Sequence, residues 1–276
     1  MVVVDDASDD HTGDIIAQCS DKRLRYIRHA ERRGAAAARN TGIRVSQGAY
    51  IAFQDSDDEW LPEKLARQMD VFAQSDARTG VVYCRFQHIH AERVSYHPSM
   101  MRTVISHLLR VSRALCGDLH LALLHGNWIT TQTAIVRRTC FEHCGAFDTE
   151  LKRFQDWDLW LRLSRFYQFA YINQSLVRTH FTADSLSAAS DTLVPAFERL
   201  IRKHATGTQQ GRYLVAQYWY ALGRSACYSQ QRNQGIYHFI RAIRLCPFNM
   251  VYWVAALAAL AGLPIYSRLA PLIGGY

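Results

Sequence analysis

Between Ala49 and Trp60 the chain reads AYIAFQDSDDEW, a short apolar run that ends in a knot of acids. Tyr50-Ile51-Ala52-Phe53 has the length and β-rich composition of a buried strand. Asp55, Asp57, Asp58 and Glu59 follow at once. Carboxylates packed this closely repel one another unless something positive sits among them. Two arrangements relieve the conflict. A divalent cation can be held at the strand end, where α/β folds keep their ligands. Alternatively, the acids open the next helix, whose dipole favours negative charge.

The same syntax opens the chain. Val2-Val3-Val4 reads as a strand and runs into Asp5-Asp6-Ala7-Ser8-Asp9-Asp10. His11 to Cys19 reads as a helix with Ile15 and Ile16 inward, and Leu24 to Ile27 as a short strand. Arg32-Arg33-Gly34 leads into the Ala-rich helix start Ala35 to Asn40, a composition of high helix propensity. Strand, acid, helix, strand, helix, strand, acid is an alternating α/β pattern.

Beyond Trp60, Leu61-Pro62-Glu63-Lys64 starts a helix with Pro near the first turn, where it is tolerated. Gly80 to Phe86 and Thr131 to Val136 read as strands, 95–125 as helical and basic. In QDWDLWLRL, Trp157, Trp160 and Leu161 share one helical face, with Asp156 at the helix start. From Pro195 the texture changes to helices without strands: Tyr213 to Tyr228, Gly235 to Leu245 and Phe248 to Gly262. Phe248 to Ser267 carries no charged residue and approaches the ~20 apolar residues of a membrane span. Its many alanines, with Asn249, Gly262 and Pro264, favour a buried or membrane-surface helix instead.

At 276 residues the chain can bury a substantial core. Its formal charge of +8 and pI near 9.2 suit phosphate-bearing ligands or an anionic membrane surface. No nucleic-acid-binding motif accompanies the charge, so nucleic acid is not an expected partner. Seven cysteines without framework spacing point to a reducing compartment. Cys140, His143 and Cys144 lie on one helical face with no second ligand pair, which favours packing over a metal site. The opening residues do not read as a secretory signal.

Together these segments resemble a family 2 glycosyltransferase with the GT-A fold. VVVDDASDD is similar to that family's strand-then-aspartates nucleotide element, and RRGAAAARNTGI to its Ala-Arg-Asn-x-Gly segment. AYIAFQDSDDEWLPEKLARQ is similar to its metal-binding DxD segment. GAFDTEL with QDWDLWLRL resembles its acceptor-side block, and LVRTHFTADSLS its closing loop. The likeness spans Met1 to Ser187 with the motifs in the family's order. The implied fold is α/β: a GT-A, Rossmann-like, mixed and mostly parallel sheet flanked by helices. The implied division is a glycosyltransferase domain over 1–194 and an all-helical extension over 195–276. Tyr220 to Gly223 and Ala242 to Asn249 give that extension a weak tetratricopeptide-like character, and one such repeat cannot stack a core alone.

The resemblance also implies roles. Asp5 and Asp6 would contact the nucleoside, Arg39 would lie along the nucleotide and diphosphate, and Asp55 would face the ribose. Asp57 would ligate Mg²⁺ or Mn²⁺, and Asp156 would be the general base. The implied reaction moves a sugar, with inversion, from a nucleoside-diphosphate sugar donor to a glycan or lipid-linked acceptor, as in surface polysaccharide or lipopolysaccharide synthesis. The implied location is cytoplasmic, peripheral at the inner face of the cell membrane. The alternatives are an inactive nucleotide-sugar-binding or scaffold protein, and a membrane-anchored scaffold. Four positions depart from the family's pattern. Gln155 stands for the usual Glu and Arg32 for the usual Asn, while Thr182 aligns with a His that here lies at His180. The fourth departure is that the family's first strand would precede Val2. The expectation is therefore that the reading frame extends upstream, or that the strand at Val2–Val4 closes directly onto the one ending at Asp55.

Overall fold

The structure, a computed structural model, describes residues 1–90, 93–96, 116–180, 192–206 and 208–273. Its first elements are β1 (Val2–Asp5), α1 (Thr12–Ala17), β2 (Arg25–Arg28), α2 (Ala35–Val45), β3 (Tyr50–Ala52) and β4 (Asp58–Trp60). Then come α3 (Lys64–Gln74), β5 (Thr79–His90) and β6 (Arg93–Tyr96). Beyond residue 115 follow α4 (His120–Leu124), β7 (Ala134–Arg137), α5 (Arg138–Cys144), α6 (Gln155–Leu163) and β8 (Gln168–His180). Helices close the chain: α7 (Leu193–His204), α8 (Gly211–Tyr228), α9 (Arg232–Leu245), α10 (Met250–Ala261) and α11 (Leu263–Ile273).

The α/β alternation produces two sheets. β1 pairs in parallel with β2, Val4 opposite Ile27 and Asp5 opposite Arg28. The larger sheet runs β3-β7-β5-β8-β4, with β6 added to β5. It is mixed: β5 and β8 are parallel, whereas β7 is antiparallel to both β3 and β5, and β4 to β8. Among the described residues β1 and β3 do not pair with each other, so the two strands do not close directly. Helix α2 spans them. Its Ala36 and Ala37 are buried, because small side chains let a helix lie close to its neighbours. Gly34 opens α2 at φ 88°, a left-handed conformation that glycine adopts without strain.

The core explains the sequence pattern around the aspartates. Phe53, just past β3, packs edge-on against Phe147 and Phe141 with ring centroids 5.3 and 6.1 Å away. On α6, Trp157, Trp160 and Leu161 are buried as their spacing predicts. Each indole N–H also finds a carbonyl at 2.8 Å, Leu123 for Trp157 and Ile129 for Trp160. A buried tryptophan with its N–H satisfied fixes a helix in rotation as well as position. On α3 the buried face is Lys64, Gln68 and Phe72. Gln68 ties that helix to the Val82 and Thr133 carbonyls at 2.8 and 2.9 Å, and the Lys64 ammonium lies 4.1 Å over the Trp60 ring.

Three local expectations give way. Helix α1 buries none of its residues, and Ile15 is 62% exposed; six residues form too short a surface to cover a core. The strand expected from Thr131 begins only at Ala134. Thr133 bonds the Thr130 carbonyl through both N–H and Oγ at 3.0 and 2.7 Å, closing a 3-10 turn first. In the stretch 95–125, Ser95 and Tyr96 belong to β6, opposite His88 and Gln87. The rest of that stretch is described only from Cys116, with helix at His120–Leu124; 97–115 lies outside the described residues.

The C-terminal helices are of two kinds. α7 contributes Ala196, Phe197 and Leu200 to the core of the α/β part, joined by Leu214 at the start of α8. A second core forms among α8 to α11 around Tyr220, Phe239, Tyr252 and Tyr266. α8 and α9 meet at Gly223, where a Cβ would stand 2.5 Å from the Phe239 ring, so only glycine fits. The uncharged run Phe248–Ser267 is broken by Gly262 at φ 127° into α10 and α11. Among the described residues, no helix is long and apolar enough to cross a membrane. All seven cysteines are free, and Cys140 is buried with its thiol toward the Gly80 carbonyl, the packing role its spacing suggested.

Candidate active site

Helix α2 carries the residue that draws the site together. Arg39 donates through Nη2 to Asp55 at 2.7 Å and through Nη1 to Gln155 at 3.2 Å. Asp55 lies just past β3 and Gln155 is the first residue of α6. Asn40, the next residue on α2, clamps the Phe147 backbone, donating to its carbonyl at 2.8 Å and accepting from its N–H at 2.9 Å. The Arg39 guanidinium also lies 5.7 Å over the Phe147 ring. The Ala-Arg-Asn segment is therefore a joint: one residue bridges side chains, the other fixes a neighbouring backbone.

Gln155, the unusual residue of its block, uses both ends of its amide. Oε1 accepts from Arg39, and Nε2 donates to the Leu151 carbonyl at 2.8 Å. A glutamate could do only the first. Beside it, Asp156 accepts from its neighbour Trp157 N–H at 2.7 Å and from Asn127 Nδ2 at 3.0 Å. Burial pushes the Asp156 carboxyl up from the ordinary aspartate value. Those two hydrogen bonds and the nearby Arg39 charge pull the other way and lose.

Asn127 was not singled out from sequence. It follows α4 at a turn where Gly126 has φ 149°, and its own Oδ1 accepts from Ile129 N–H at 3.1 Å. The only signal for it was the Gly-Asn pair between apolar runs, which reads as a turn rather than as chemistry.

The acidic knot divides into two pairs of residues. Asp55 is held by Arg39, while Asp57 is exposed on the turn that follows. Asp58 and Glu59 belong to β4, opposite Thr179 and Arg178 of β8. Asp58 accepts from the His180 backbone N–H at 3.2 Å. Its carboxyl is pushed up to about 6, first by burial and then by the Asp57 and Asp55 charges. Glu59 faces Arg178 at 3.4 Å and the His180 ring at 3.7 Å. Gln54 folds over the turn and donates to the Asp55 and Asp58 carbonyls. His180 thus sits at the acidic strand end; Thr182 and the rest of the expected closing loop lie outside the described residues.

Asp5 and Asp6 form a separate cluster ahead of the N-terminus of α2. Asp5 is buried, accepting from the Tyr26 hydroxyl and from Ser8 N–H at 2.8 Å. The Tyr26 bond leads in holding its carboxyl down at about 2. Asp6 bonds His29 Nδ1 at 2.6 Å and accepts from Arg33 and Gly34 N–H groups at 3.0 and 2.7 Å. Burial opposes ionisation of Asp6, but these partners outweigh it and keep the carboxyl below the usual range. Asp6 thus anchors the turn that launches α2, Asp5 ties the end of β1 to Tyr26 and Ser8, and Arg39 is reached further along the same helix.

A network of charges braces α6 from behind. Asp158, fully buried, meets His204 Nε2 at 2.9 Å and Lys203 Nζ at 2.6 Å through Oδ1, and Arg162 Nε at 3.0 Å through Oδ2. Arg199 and Lys203 also hold Asp148, at 2.8 and 2.9 Å. Helix α7, on the helical side of the composition change at Pro195, is in this way tied to the helix that presents Asp156.

A family model described as Glycosyl transferase family 2 matches residues 1–144. The chain is 33% identical over 136 residues to the putative teichuronic acid biosynthesis glycosyltransferase TuaG of Bacillus subtilis (strain 168), covering 44% of this chain and 53% of that protein. It is 42% identical over 69 residues to the UDP-Glc:alpha-D-GlcNAc-diphosphoundecaprenol beta-1,3-glucosyltransferase WfaP of Escherichia coli, covering 25% of this chain and 28% of that one. With TuaG and with the uncharacterized glycosyltransferase RP339 of Rickettsia prowazekii (strain Madrid E), the matched region is about half the relative's length. Among solved structures, S. aureus TarS 1-349 superposes with a TM-score of 0.60 at 16% identity, over 100% of this chain and 82% of that one. The mannosyltransferase PcManGT from Pyrobaculum calidifontis, in complex with GDP-Man and Mn2+, gives 0.57 at 21% identity, over 98% and 68%. At these identities the likeness is one of fold.

Proposed function

The chain belongs to glycosyl transferase family 2, and from that premise we propose that it moves a sugar, with inversion, from a nucleoside diphosphate to a hydroxyl of a glycan or lipid-linked acceptor in surface polysaccharide synthesis. The observation that carries this reading is Arg39, bonded at once to Asp55 at the strand end and to Gln155 beside Asp156. It brings together two regions that lie far apart in sequence. The relatives support the chemical class: WfaP is named for UDP-Glc and a diphosphoundecaprenol acceptor, and the mannosyltransferase PcManGT was solved in complex with GDP-Man.

In this reading Asp156 is the general base. It takes the proton of the acceptor hydroxyl as that oxygen bonds the anomeric carbon and the bond to the donor's diphosphate breaks. Attack from the face opposite the leaving group inverts the centre. Burial raises the Asp156 carboxyl and so strengthens the carboxylate as a base. Arg39 lies along the diphosphate, Asp55 faces the ribose, and Asp5 and Asp6 shape the nucleoside side.

Asp57 is the residue proposed to hold Mg²⁺ or Mn²⁺, with Asp55 close by. The donor set fits: these are hard carboxylate oxygens, the kind such ions prefer. Among the described residues no cluster of three metal-binding side chains occurs. Magnesium-type ions bound through one or two carboxylates and the substrate's phosphates need no such cage. When bound, the ion neutralises charge on the departing diphosphate. The place of work is proposed to be the cytoplasmic membrane face, held peripherally.

The test is donor turnover across a panel of UDP- and GDP-sugars, with and without Mn²⁺. Asp57→Ala and Asp156→Asn are each expected to abolish it. Full activity in both would refute the assignment, and calorimetry showing donor binding without turnover would favour the nucleotide-sugar-binding scaffold instead.

A further inference from the structure

Helix α10 is built inside out. Its buried residues are Tyr252 and the alanines Ala255, Ala256, Ala258 and Ala259. Tyr252 apart, its large side chains face outward: Met250, Trp253, Leu257 and Leu260 are 51, 41, 60 and 51% exposed. Their spacing of three, four and three residues sets them on one stripe of the helix. Phe248 extends that apolar surface before the helix at 89% exposed, and Ile265 of α11 is exposed after it. No charged residue occurs within α10, so this face has nothing polar to give to water. An isolated exposed leucine is ordinary, but a continuous ridge of this kind marks an interaction surface.

The charge of the helical segment that carries the ridge selects its partner. From Gly211 to the last residue the chain has six arginines and no Asp, Glu or Lys. Arg232 donates to the Ala259 carbonyl at 2.8 Å and to that of Leu260, which places its guanidinium at the end of the ridge. Arg241 and Arg244 on α9, and Arg268 on α11, are exposed. Two copies meeting through this surface would bring arginines together with no acid from the same segment to pair them. A bilayer with anionic headgroups supplies both an apolar interior and the missing negative charge. Trp253 suits that boundary, since its ring is exposed while its N–H is satisfied by the Pro247 carbonyl at 2.8 Å.

We infer that the outer face of α10, with Arg232 at its end and the exposed arginines of the same helical segment, is the surface by which this protein lies on an anionic lipid bilayer without crossing it. The inference rests on the peripheral-membrane part of the reading above and is independent of the sugar-transfer chemistry. The ridge enters the headgroup boundary while the arginines meet lipid phosphates, so binding should weaken with salt.

Flotation of the full chain with phosphatidylcholine vesicles, with and without phosphatidylglycerol, tests it. Binding is expected to be about tenfold or more stronger on the anionic vesicles at low salt. The double variant Leu257→Gln with Leu260→Gln should lose about tenfold of that binding while keeping the thermal melt and soluble donor turnover of the parent. Arg241→Gln with Arg268→Gln should flatten the salt dependence. Failure of the parent to bind anionic vesicles, or equal binding by the leucine variant, would overturn the inference. So would a self-association that the leucine variant abolishes in a protein that ignores vesicles. Vesicle binding by a protein that turns over no donor would count against the proposed chemistry alone, and turnover without vesicle binding against the lipid surface alone.

Discussion

Arg39 and Asp55 are joined Nη2 to Oδ1 at 2.7 Å, and the same guanidinium reaches Gln155 at 3.2 Å. A planar fork can hold two acceptors in fixed directions, whereas an ammonium is a point charge on a flexible stem. Arg39→Lys keeps the charge and gives up the bridge. It is expected to lower donor turnover by about 10- to 100-fold, as loss of alignment does, with a melting temperature close to the parent's. Wild-type kcat and KM in this variant would show that the bridge does not position the site.

Gln155→Glu tests the departure from the family's usual residue. The new carboxylate keeps the acceptor for Arg39 but cannot donate to the Leu151 carbonyl, a loss of about 0.5–1.5 kcal/mol. It also sets a like charge beside Asp156, which disfavours the ionised form of that aspartate. A base works when ionised, so the acid limb of the pH–rate profile is expected to move to higher pH. A profile unchanged in position would separate Asp156 from the titration that limits the rate.

Asn127 offers a cleaner dissection, because its two ends do different things. Oδ1 accepts from Ile129 N–H and Nδ2 donates to Asp156. Asn127→Ala loses both and, by stranding a buried N–H, is expected to cost about 1–3 kcal/mol of stability. Asn127→Asp keeps the acceptor for Ile129 and replaces the donor by a like charge. It should melt closer to the parent yet fall about 10- to 100-fold in turnover at neutral pH. Parallel losses of stability and turnover in both variants would reduce Asn127 to a structural role.

How much of this was legible beforehand follows from what each residue answers to. The strand ending at Asp55, the Ala-rich helix and the Trp157–Trp160 face were readable because local pattern and tertiary demand agree. Helix α1 was misread because two adjacent isoleucines on a six-residue helix are too little to make a buried face. Asn127 was invisible because its role is set by Asp156, distant in sequence, and a Gly-Asn pair announces only a turn. The ties from α7 to Asp148 and Asp158 were hidden for a similar reason. The change of texture at Pro195 draws the eye to a boundary, yet Phe197 and Leu200 pack with the residues before it.

The brace on α6 leads to a prediction about acid stability. Burial alone would raise the Asp158 carboxyl, but His204, Arg162 and Lys203 together hold it well below the ordinary aspartate range. A carboxylate depressed in the folded state contributes stability that is fully present above its unfolded pKa of about 3.9. That contribution is lost as pH falls toward the folded value. His204 acts in the same direction, because burial lowers its pKa and acid must then protonate a ring that folding keeps neutral. Asp158→Asn takes the negative charge and one of two acceptor oxygens away from Arg162, Lys203 and His204 and is expected to cost about 3–5 kcal/mol near pH 7. Urea unfolding of parent and variant should show a gap that persists at about pH 5 and narrows steadily below about pH 4, as the unfolded chain's carboxylate takes up a proton that the folded one still lacks. A gap that does not narrow at all below about pH 4 would mean that Asp158 stabilises α6 by shape and not by charge.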